Sequence, residues 1–473
     1  MIHIGGAALG VRDVVGYASH PAGIVCADGV EAALRSNSAM AERVALTSPS
    51  YGRTTGVGAN RDVAADDEDG DHGLRLVRSH ATGAGPLLGD DVARSTMLVR
   101  LQQLAQPGSG IPFEIVEALR VAANDGRVPP IRSFGGMGTG DITGLAELAL
   151  CLLGERPWSD GATARYLPAI GGSGALALMS SSAPTVAAAA HAAAEMQRFL
   201  HASLVVATMS SLAVRPNAQQ WSPAAAATRP SVGLAAVTGR MRALLDGSRW
   251  ESPRTQDPLS FRVIPFVAGP LWESAEALLR AVGAEINAGA ENPRYADEQV
   301  WHHGAFNLTG LALALDTARL AATQWCSTSL ARLVKLHDPA YTGQSRFLAH
   351  GPAGSSGSMV LEYTAGSALE TVRTLADPTS RHTTNISVGV EDHATFASRG
   401  AIATRELVLA ARTVVACELV AAVRALRHAE GIELGDAIRE TLRHCSTLPD
   451  DASDRPLIDD VRAAEQLLDE LGS

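Results

Sequence analysis

Gly135-Gly136-Met137-Gly138-Thr139-Gly140-Asp141-Ile142-Thr143-Gly144 runs straight into the apolar segment Leu145-Ala146-Glu147-Leu148-Ala149-Leu150. Glycines at this density let backbone approach backbone and admit φ/ψ values closed to other residues. The apolar segment reads as a helix, so the stretch is a glycine turn at a helix mouth. Its core, Gly138-Thr139-Gly140, carries a specific chemical option. In a sufficiently bent loop, the Gly140 amide nitrogen can attack the Gly138 carbonyl. Loss of water from the ring and from the Thr139 side chain then leaves an electron-poor heterocycle. Gly138-x-Gly140-x-x-x-Gly144 also imitates a dinucleotide-binding turn. That reading needs a β-strand ahead of it, and Arg127-Val128-Pro129-Pro130-Ile131-Arg132 is a poor strand.

Outward from this turn, the two flanks differ in texture. The N-terminal flank is loop-rich, with Tyr51-Gly52-Arg53-Thr54-Thr55-Gly56-Val57-Gly58 as one glycine-punctuated loop and Ser79-His80-Ala81-Thr82-Gly83-Ala84-Gly85 as a second. Between them, Asp66 to Asp71 reads as a solvated acidic turn. Asp90-Asp91 reads as the cap of a further helix. From about Gly174 the chain turns Ala- and Leu-rich, and helices are predicted over 185–213, 230–246, 270–288, 308–337, 357–376, 392–429 and 455–471. Several exceed ordinary globular lengths, which implies a long bundle, one that subunits can share. Aromatic residues make up only 4% of the chain, which favours packed helices over β-sandwiches. The expected organisation is a mainly α chain: an N-terminal region over 1–185 that carries the Tyr51 loop and the glycine turn, then a long-helix bundle and oligomerisation region over 186–473.

Composition removes several function classes. The net charge is −11 and no basic run is present, so nucleic acid and anionic membranes are poor partners. Lys335 is the only lysine and sits on an ordinary helix face, which leaves pyridoxal phosphate and a phosphate-loop nucleotide site without their lysine. No Gly-x-Ser-x-Gly elbow is present. His302-His303 lacks a third ligand at metal spacing and reads as a surface or loop pair, so no metal is expected. The five cysteines are scattered, with no Cys-x-x-Cys pair, and read as reduced thiols. Neither a signal peptide nor a bilayer-length apolar run is visible, so the expected location is cytoplasmic.

The glycine loops fall in an order that resembles the aromatic amino acid ammonia-lyases and aminomutases, with histidine ammonia-lyase the nearest type. The anchors are Tyr51-Gly52-x-x-Thr55-Gly56-x-Gly58, Ser79-His80-x-x-Gly83-x-Gly85-Pro86-Leu87, Arg94 to Arg100, Gly108-Ser109-Gly110, Gly140-Asp141, Gln256-Asp257-Pro258-x-Ser260-x-Arg262, Glu285-x-Asn287 with Asn292-Pro293, Ser356-Gly357-x-Met359 and Glu391-Asp392-His393. The resemblance implies an ammonia-lyase-like fold, mainly α-helical around a long central bundle, assembled as a homotetramer whose active sites are shared between subunits. It implies a small-molecule substrate and a self-generated methylidene-imidazolone (MIO) ring near helix N-termini, whose positive dipole ends strengthen its electrophilicity. Position by position, it makes Tyr51 the base that removes a β-proton and Arg262 the clamp on the substrate carboxylate, a task suited to its two-pronged donor. For Tyr51 to act near neutral pH its pKa must fall well below about 10. His80 and Glu391 match contacts to a heteroaromatic side chain. A helix cap for His80 and the start of the 392–429 helix for Glu391 are equally good readings. Phe306 matches a pocket wall, Gln256 a polar residue on the Arg262 loop, and Ser180 the position of an asparagine beside the ring.

The departures from the family pattern lie at the chemistry. The cyclising triad is Gly138-Thr139-Gly140 where the family has Ala-Ser-Gly. Gly for Ala leaves the backbone reaction possible. Thr for Ser would give an ethylidene whose extra methyl shields the carbon that an amine must reach. Ser180-Ser181-Ser182 replaces Asn-Gly-Thr, Leu259 replaces a tyrosine, Phe266 replaces a glutamine, Gly304-Ala305-Phe306-Asn307-Leu308 replaces Gly-Asn-Phe-His-Gly, and Val390 replaces a glutamine. Three readings follow. One is a divergent lyase or aminomutase that uses the ring. The second is a ring-independent lyase, isomerase or cyclase for a specialised metabolite, built on Tyr51, Arg262, His80 and Glu391. The third is a non-catalytic homologue that binds a small molecule.

Overall fold

The computed structural model describes residues 1–472. Helix takes up 58% of the chain and strand 6%, so the mainly α expectation holds. The chain divides into two compact units. The first takes Met1–Ala194, Leu279–Leu315 and Pro378–Ile402. The second takes Glu195–Leu278, Asp316–Asp377 and the residues from Ala403 onward.

In the first unit three small ribbons hold the loops. Ile2–Ile4 runs parallel to Ile24–Cys26, Ala84–Leu87 antiparallel to Arg132–Phe134, and Arg294–Ala296 antiparallel to Gln299–Trp301. Strands this short carry no alternation that a sequence reading can register. The helix Asp90–Leu104 forms the middle of the unit, and every residue from Ser95 to Leu104 is buried. A helix apolar on one face only could not do this, and its Arg100 shows how the exception is satisfied. That guanidinium lies 2.6 Å from the Glu291 carboxylate and 2.9 Å from the Leu178 carbonyl, and it also binds the Ala177 carbonyl. Both carbonyls belong to the last turn of the helix Gly172–Met179, where no intrahelical donor is left for them. Arg100 therefore fixes the point at which the chain emerges as Ser180.

Four helices are long: Ala183–Ala213, Ile264–Ile286, Thr309–Leu336 and Ala397–Arg427. Ala187, Ala189, Ala190 and Ala192 are fully buried on the first of them, where small side chains let neighbours approach. Its buried Ser203, Thr208 and Ser211 hydroxyls bond to carbonyls three or four residues back, at 2.7 to 2.9 Å, so they cost little inside the protein. In the second unit Trp325 donates its indole N–H to Ser203 Oγ at 2.7 Å, and Arg332 makes a two-pronged pair with Glu418 at 2.7 and 2.9 Å. Both partners of that pair are fully buried, so removing either one leaves an uncompensated charge.

Some boundaries differ from expectation. The helix expected from 270 begins at Ile264 and carries Pro270 inside it. The helix expected from 392 begins at Ala397. Asp90 and Asp91 form the first helical turn and Gly89 occupies the cap position. Gly172–Met179 and Asp436–His444 are helices that apolar periodicity did not announce. Among the described residues no helix is long and apolar enough to cross a membrane.

Candidate active site

Tyr51 opens a tight turn held by Ser50, whose carbonyl receives the Arg53 and Thr54 N–H groups at 3.0 and 2.9 Å. Gly52 follows at φ 69°, and a Cβ there would stand 2.3 Å from Leu176. Only glycine lets this turn lie against the helix Gly172–Met179. The turn aims the phenol at its own loop, and the Gly58 N–H donates to the Tyr51 oxygen at 2.7 Å. Burial pushes this phenol above its ordinary value, the Gly58 bond holds it down, Glu391 adds to the rise and Arg61 opposes it. The depressed phenol that the sequence reading required is therefore not produced by this chain's own surroundings, because desolvation and a carboxylate outweigh one amide and one exposed guanidinium.

The glycine turn is clamped from two sides. On one side, three near-consecutive residues bind three consecutive carbonyls. Thr395 Oγ1 donates to Gly138 O at 2.9 Å, Phe396 N–H to Met137 O at 2.9 Å and Ser398 Oγ to Gly136 O at 2.8 Å. On the other side, Gly140 N–H donates to Ser182 Oγ at 3.0 Å and Asp141 N–H to Ser181 O at 2.8 Å. The Asp141 carboxylate accepts the Thr185 N–H at 3.0 Å and the Gly138 N–H at 3.3 Å, and burial pushes it above the usual carboxylate range. Gly138 has φ 71° and Gly140 φ 100°, both closed to ordinary side chains. The turn thus has positive φ at both Gly138 and Gly140, a doubly hydrogen-bonded Gly138 carbonyl and a nearby acceptor for the Gly140 amide proton. The residues present fit the ring.

A cavity of about 910 Å³ opens beside this turn, lined entirely by the first unit. Seven of the residues singled out from sequence share its wall: Tyr51, His80, Thr139, Gly140, Ser180, Phe306 and Glu391. Gly138 is buried behind it. Gln256 and Arg262 belong to the second unit, where Arg262 donates to Gln256 Oε1 at 3.2 Å, and neither lines this cavity.

Local bonds set how each wall group presents itself. His80 ends the helix His72–His80, and its Nδ1 lies 2.7 Å from the Leu76 carbonyl. That geometry puts the proton on Nδ1 and leaves Nε2 as an acceptor. His80 is thus the last residue of its helix, with Ala81 at the cap position, and its ring lines the cavity. Glu391 stands six residues ahead of the helix Ala397–Arg427, so it is not at that helix's start. It closes a short hairpin through the Ile386 N–H to Glu391 carbonyl bond at 2.9 Å, with Ser387 and Val388 at φ 53° and 54°. Ser180 exchanges hydrogen bonds with the Asn292 backbone at 3.1 and 3.2 Å, which occupies its hydroxyl.

Sequence reasoning missed other parts of the wall. His302 and His303, read as a surface or loop pair, both line the cavity, and His302 Nε2 accepts the Tyr51 N–H at 3.3 Å. Burial lowers the His303 pKa, with Arg294 acting in the same direction. His393 also lines it. Asn307 Oδ1 is taken by the Thr309 N–H at 2.9 Å, so its amide nitrogen faces His393 Nδ1 at 3.2 Å. His393 Nδ1 is then the acceptor of that bond, which points Nε2 to the other side of the ring. No spacing rule could have gathered four histidines from positions 80, 302, 303 and 393. Among the described residues no group of three or more His, Cys, Asp or Glu is arranged to hold a metal ion.

Comparison with known proteins matches this architecture. The family model for aromatic amino acid lyase covers residues 9–446. The histidine ammonia-lyase of Symbiobacterium thermophilum is 31% identical, over 98% of this chain and 96% of that protein. Among solved structures, the ergothioneine-degrading ergothionase of Treponema denticola superposes with a TM-score of 0.92 at 24% identity, covering 99% of both chains. The tyrosine aminomutase of Streptomyces globisporus does so at 0.91 and 22%, covering 99% of this chain and 97% of that one. Those two share the fold. A helical fold of this kind, with the matched lyases, defines a carbon–nitrogen lyase acting on a small molecule. The chain belongs to the aromatic amino acid lyase family.

Proposed function

We propose that this lyase eliminates the amine from a polar or heteroaromatic amino acid, or a derivative of one, to give an α,β-unsaturated acid. The observation that carries the proposal is the shared cavity wall of Tyr51, His80, Thr139, Gly140 and Glu391. A ring formed from Gly138-Thr139-Gly140 would supply an electron-poor carbon to which the substrate's amine adds. Tyr51 takes the β-proton. The Gly58 N–H at 2.7 Å supports the phenolate that this requires. His80, with Nε2 free to accept, and Glu391 receive the N–H groups of a polar ring. Phe306 packs against its face.

Arg262 holds the substrate carboxylate, with Gln256 beside it. The active assembly is a homotetramer in which subunits share sites, as the family resemblance implies. In such an assembly a neighbouring subunit would have to bring positive charge beside Tyr51 to offset the burial that raises its phenol pKa.

Turnover is followed by absorbance of the unsaturated product across histidine and related amino acids. Tyr51→Phe is expected to lower kcat by about 10²- to 10⁴-fold, the ordinary contribution of a positioned base. Arg262→Lys is expected to raise KM, because a point charge cannot replace a planar fork. A Tyr51→Phe enzyme with wild-type kcat would end this proposal.

A further inference from the structure

We propose that Thr395 Oγ1 and the Leu308 N–H form an oxyanion hole for closure of the Gly138-Thr139-Gly140 ring. This rests on the ring reading above and assigns the residues that bring the ring about.

The Gly138 carbonyl oxygen accepts two hydrogen bonds, from Thr395 Oγ1 at 2.9 Å and from Leu308 N–H at 3.3 Å. An ordinary buried carbonyl is satisfied by one. Two donors on one carbonyl oxygen are what a carbon about to become tetrahedral requires. The Thr395 hydroxyl is 3% exposed and accepts the Ala397 N–H at 3.3 Å, which orients it. Met137 O lies farther from it, at 3.4 Å, so its single proton goes to Gly138. The hydroxyl occupies the space a side chain on residue 138 would fill, 2.3 Å from the Cβ position. On the nucleophile side, the Gly140 N–H points to Ser182 Oγ at 3.0 Å.

Closure forms one bond, from Gly140 N to the Gly138 carbonyl carbon. Negative charge develops on the Gly138 oxygen, between the two donors. That oxygen leaves as water with the amide hydrogens of residues 140 and 139, giving a carbon–nitrogen double bond. The Thr139 hydroxyl leaves as a second water with the α-hydrogen, giving the exocyclic alkene. No oxidant or co-reactant is needed. Thr395 touches the reacting Gly138 oxygen directly, whereas Ser182 holds the Gly140 N–H and positions the nucleophile.

Intact-protein mass of the full chain tests this. The wild type is expected to be two waters lighter than its sequence. Thr395→Val, which keeps the shape and removes the donor, is expected to carry the full mass when purified promptly and to lose water roughly 100-fold more slowly, as when one oxyanion-hole donor is removed. Thr395→Ser restores the donor and the light mass. Ser398→Ala removes a clamp bond to Gly136 and leaves the Gly138 donors in place, so it stays light. If Thr395→Val does not fold, Thr395→Cys, with a weaker donor, is expected to close at an intermediate rate. A Thr395→Val or Thr395→Cys protein as light as wild type at the earliest time overturns the assignment. So does full mass in Ser398→Ala, which would mean that any loosening of the clamp suffices. A wild type of full mass that still turns over, with an inactive Tyr51→Phe, overturns ring closure and leaves the base standing. A light wild type with an active Tyr51→Phe does the reverse.

Discussion

At Gly138 a substitution that reads as neutral in sequence becomes a requirement in three dimensions. Alanine, the family's residue at this position, would need φ 71° and would put its Cβ 2.3 Å from Thr395 Oγ1 and 3.0 Å from Ala397. Gly138→Ala is therefore expected to destabilise the fold by about 1–3 kcal/mol through strained backbone and displaced neighbours. A lowered thermal midpoint checks it. The double change Gly138→Ala, Thr139→Ser, which rewrites the family triad, should carry the same penalty. The site residues that were legible are those with distinctive chemistry in glycine loops, such as Tyr51 and His80. Thr395 was not legible, because its role is a bond to a backbone carbonyl 257 residues away and any hydroxyl residue would read the same. Tyr51 itself gives a signed test. Glu391 raises its phenol pKa and Arg61 lowers it. The rise of kcat/KM with pH should therefore move to higher pH in Arg61→Gln and to lower pH in Glu391→Gln. Shifts in one shared direction would mean that the rising limb belongs to another group.

Among the elements, the misplaced helix start at 397 has a physical cause. Apolar periodicity extends back to about 392, but Phe396 has φ 49° and its N–H is bonded to Met137. The segment before Ala397 binds the glycine turn and cannot also be helix. Helix lengths were legible from Ala- and Leu-rich runs; where a helix yields to a tertiary hydrogen bond was not. A second element-level device lies past the helix Thr309–Leu336. His337 Nδ1 is 2.7 Å from Glu362 Oε1 and Nε2 is 2.9 Å from Ser358 Oγ. Serine is fully buried there and no nucleophile is presented, so the trio is a clasp that closes the Phe347 turn. Burial lowers the His337 pKa against the pull of Glu362. The folded imidazole thus binds its proton less readily than the unfolded one. Its contribution to stability is present above the unfolded pKa of about 6.5 and is lost as pH falls through that value toward the folded pKa. His337→Gln should flatten the fall of the thermal midpoint between pH 7 and pH 5; an unchanged slope would assign that fall to other groups.

For the whole molecule, self-assembly is the property most exposed to test. The helix Thr309–Leu336 leaves Leu313, Leu320 and Val334 outward, at 53%, 49% and 40% exposure. They recur at multiples of seven residues, the spacing of an apolar seam that faces a partner helix. Leu409 on the helix Ala397–Arg427 is 65% exposed and Tyr363 on Leu361–Leu375 is 72% exposed. Scattered apolar side chains on a surface mean little, but an in-register stripe along one long helix is costly to leave in water. Cysteine chemistry is a poor candidate for the joint. Burial pushes the Cys151, Cys326 and Cys417 thiols up to about 12, leaving them inert at ordinary pH. The stripe therefore supports the proposed homotetramer, and light scattering is expected to give four times the 49.1 kDa chain mass. Leu320→Glu with Val334→Glu places two charges in the seam and is expected to yield smaller species of unchanged helix content. Because the proposed active sites are shared between subunits, those species should also lose turnover by more than about tenfold, the effect of losing roughly 1.4 kcal/mol of transition-state stabilisation. Dissociated, helical and fully active protein would show that each chain carries a complete site, and Arg262 would then have to act within its own subunit.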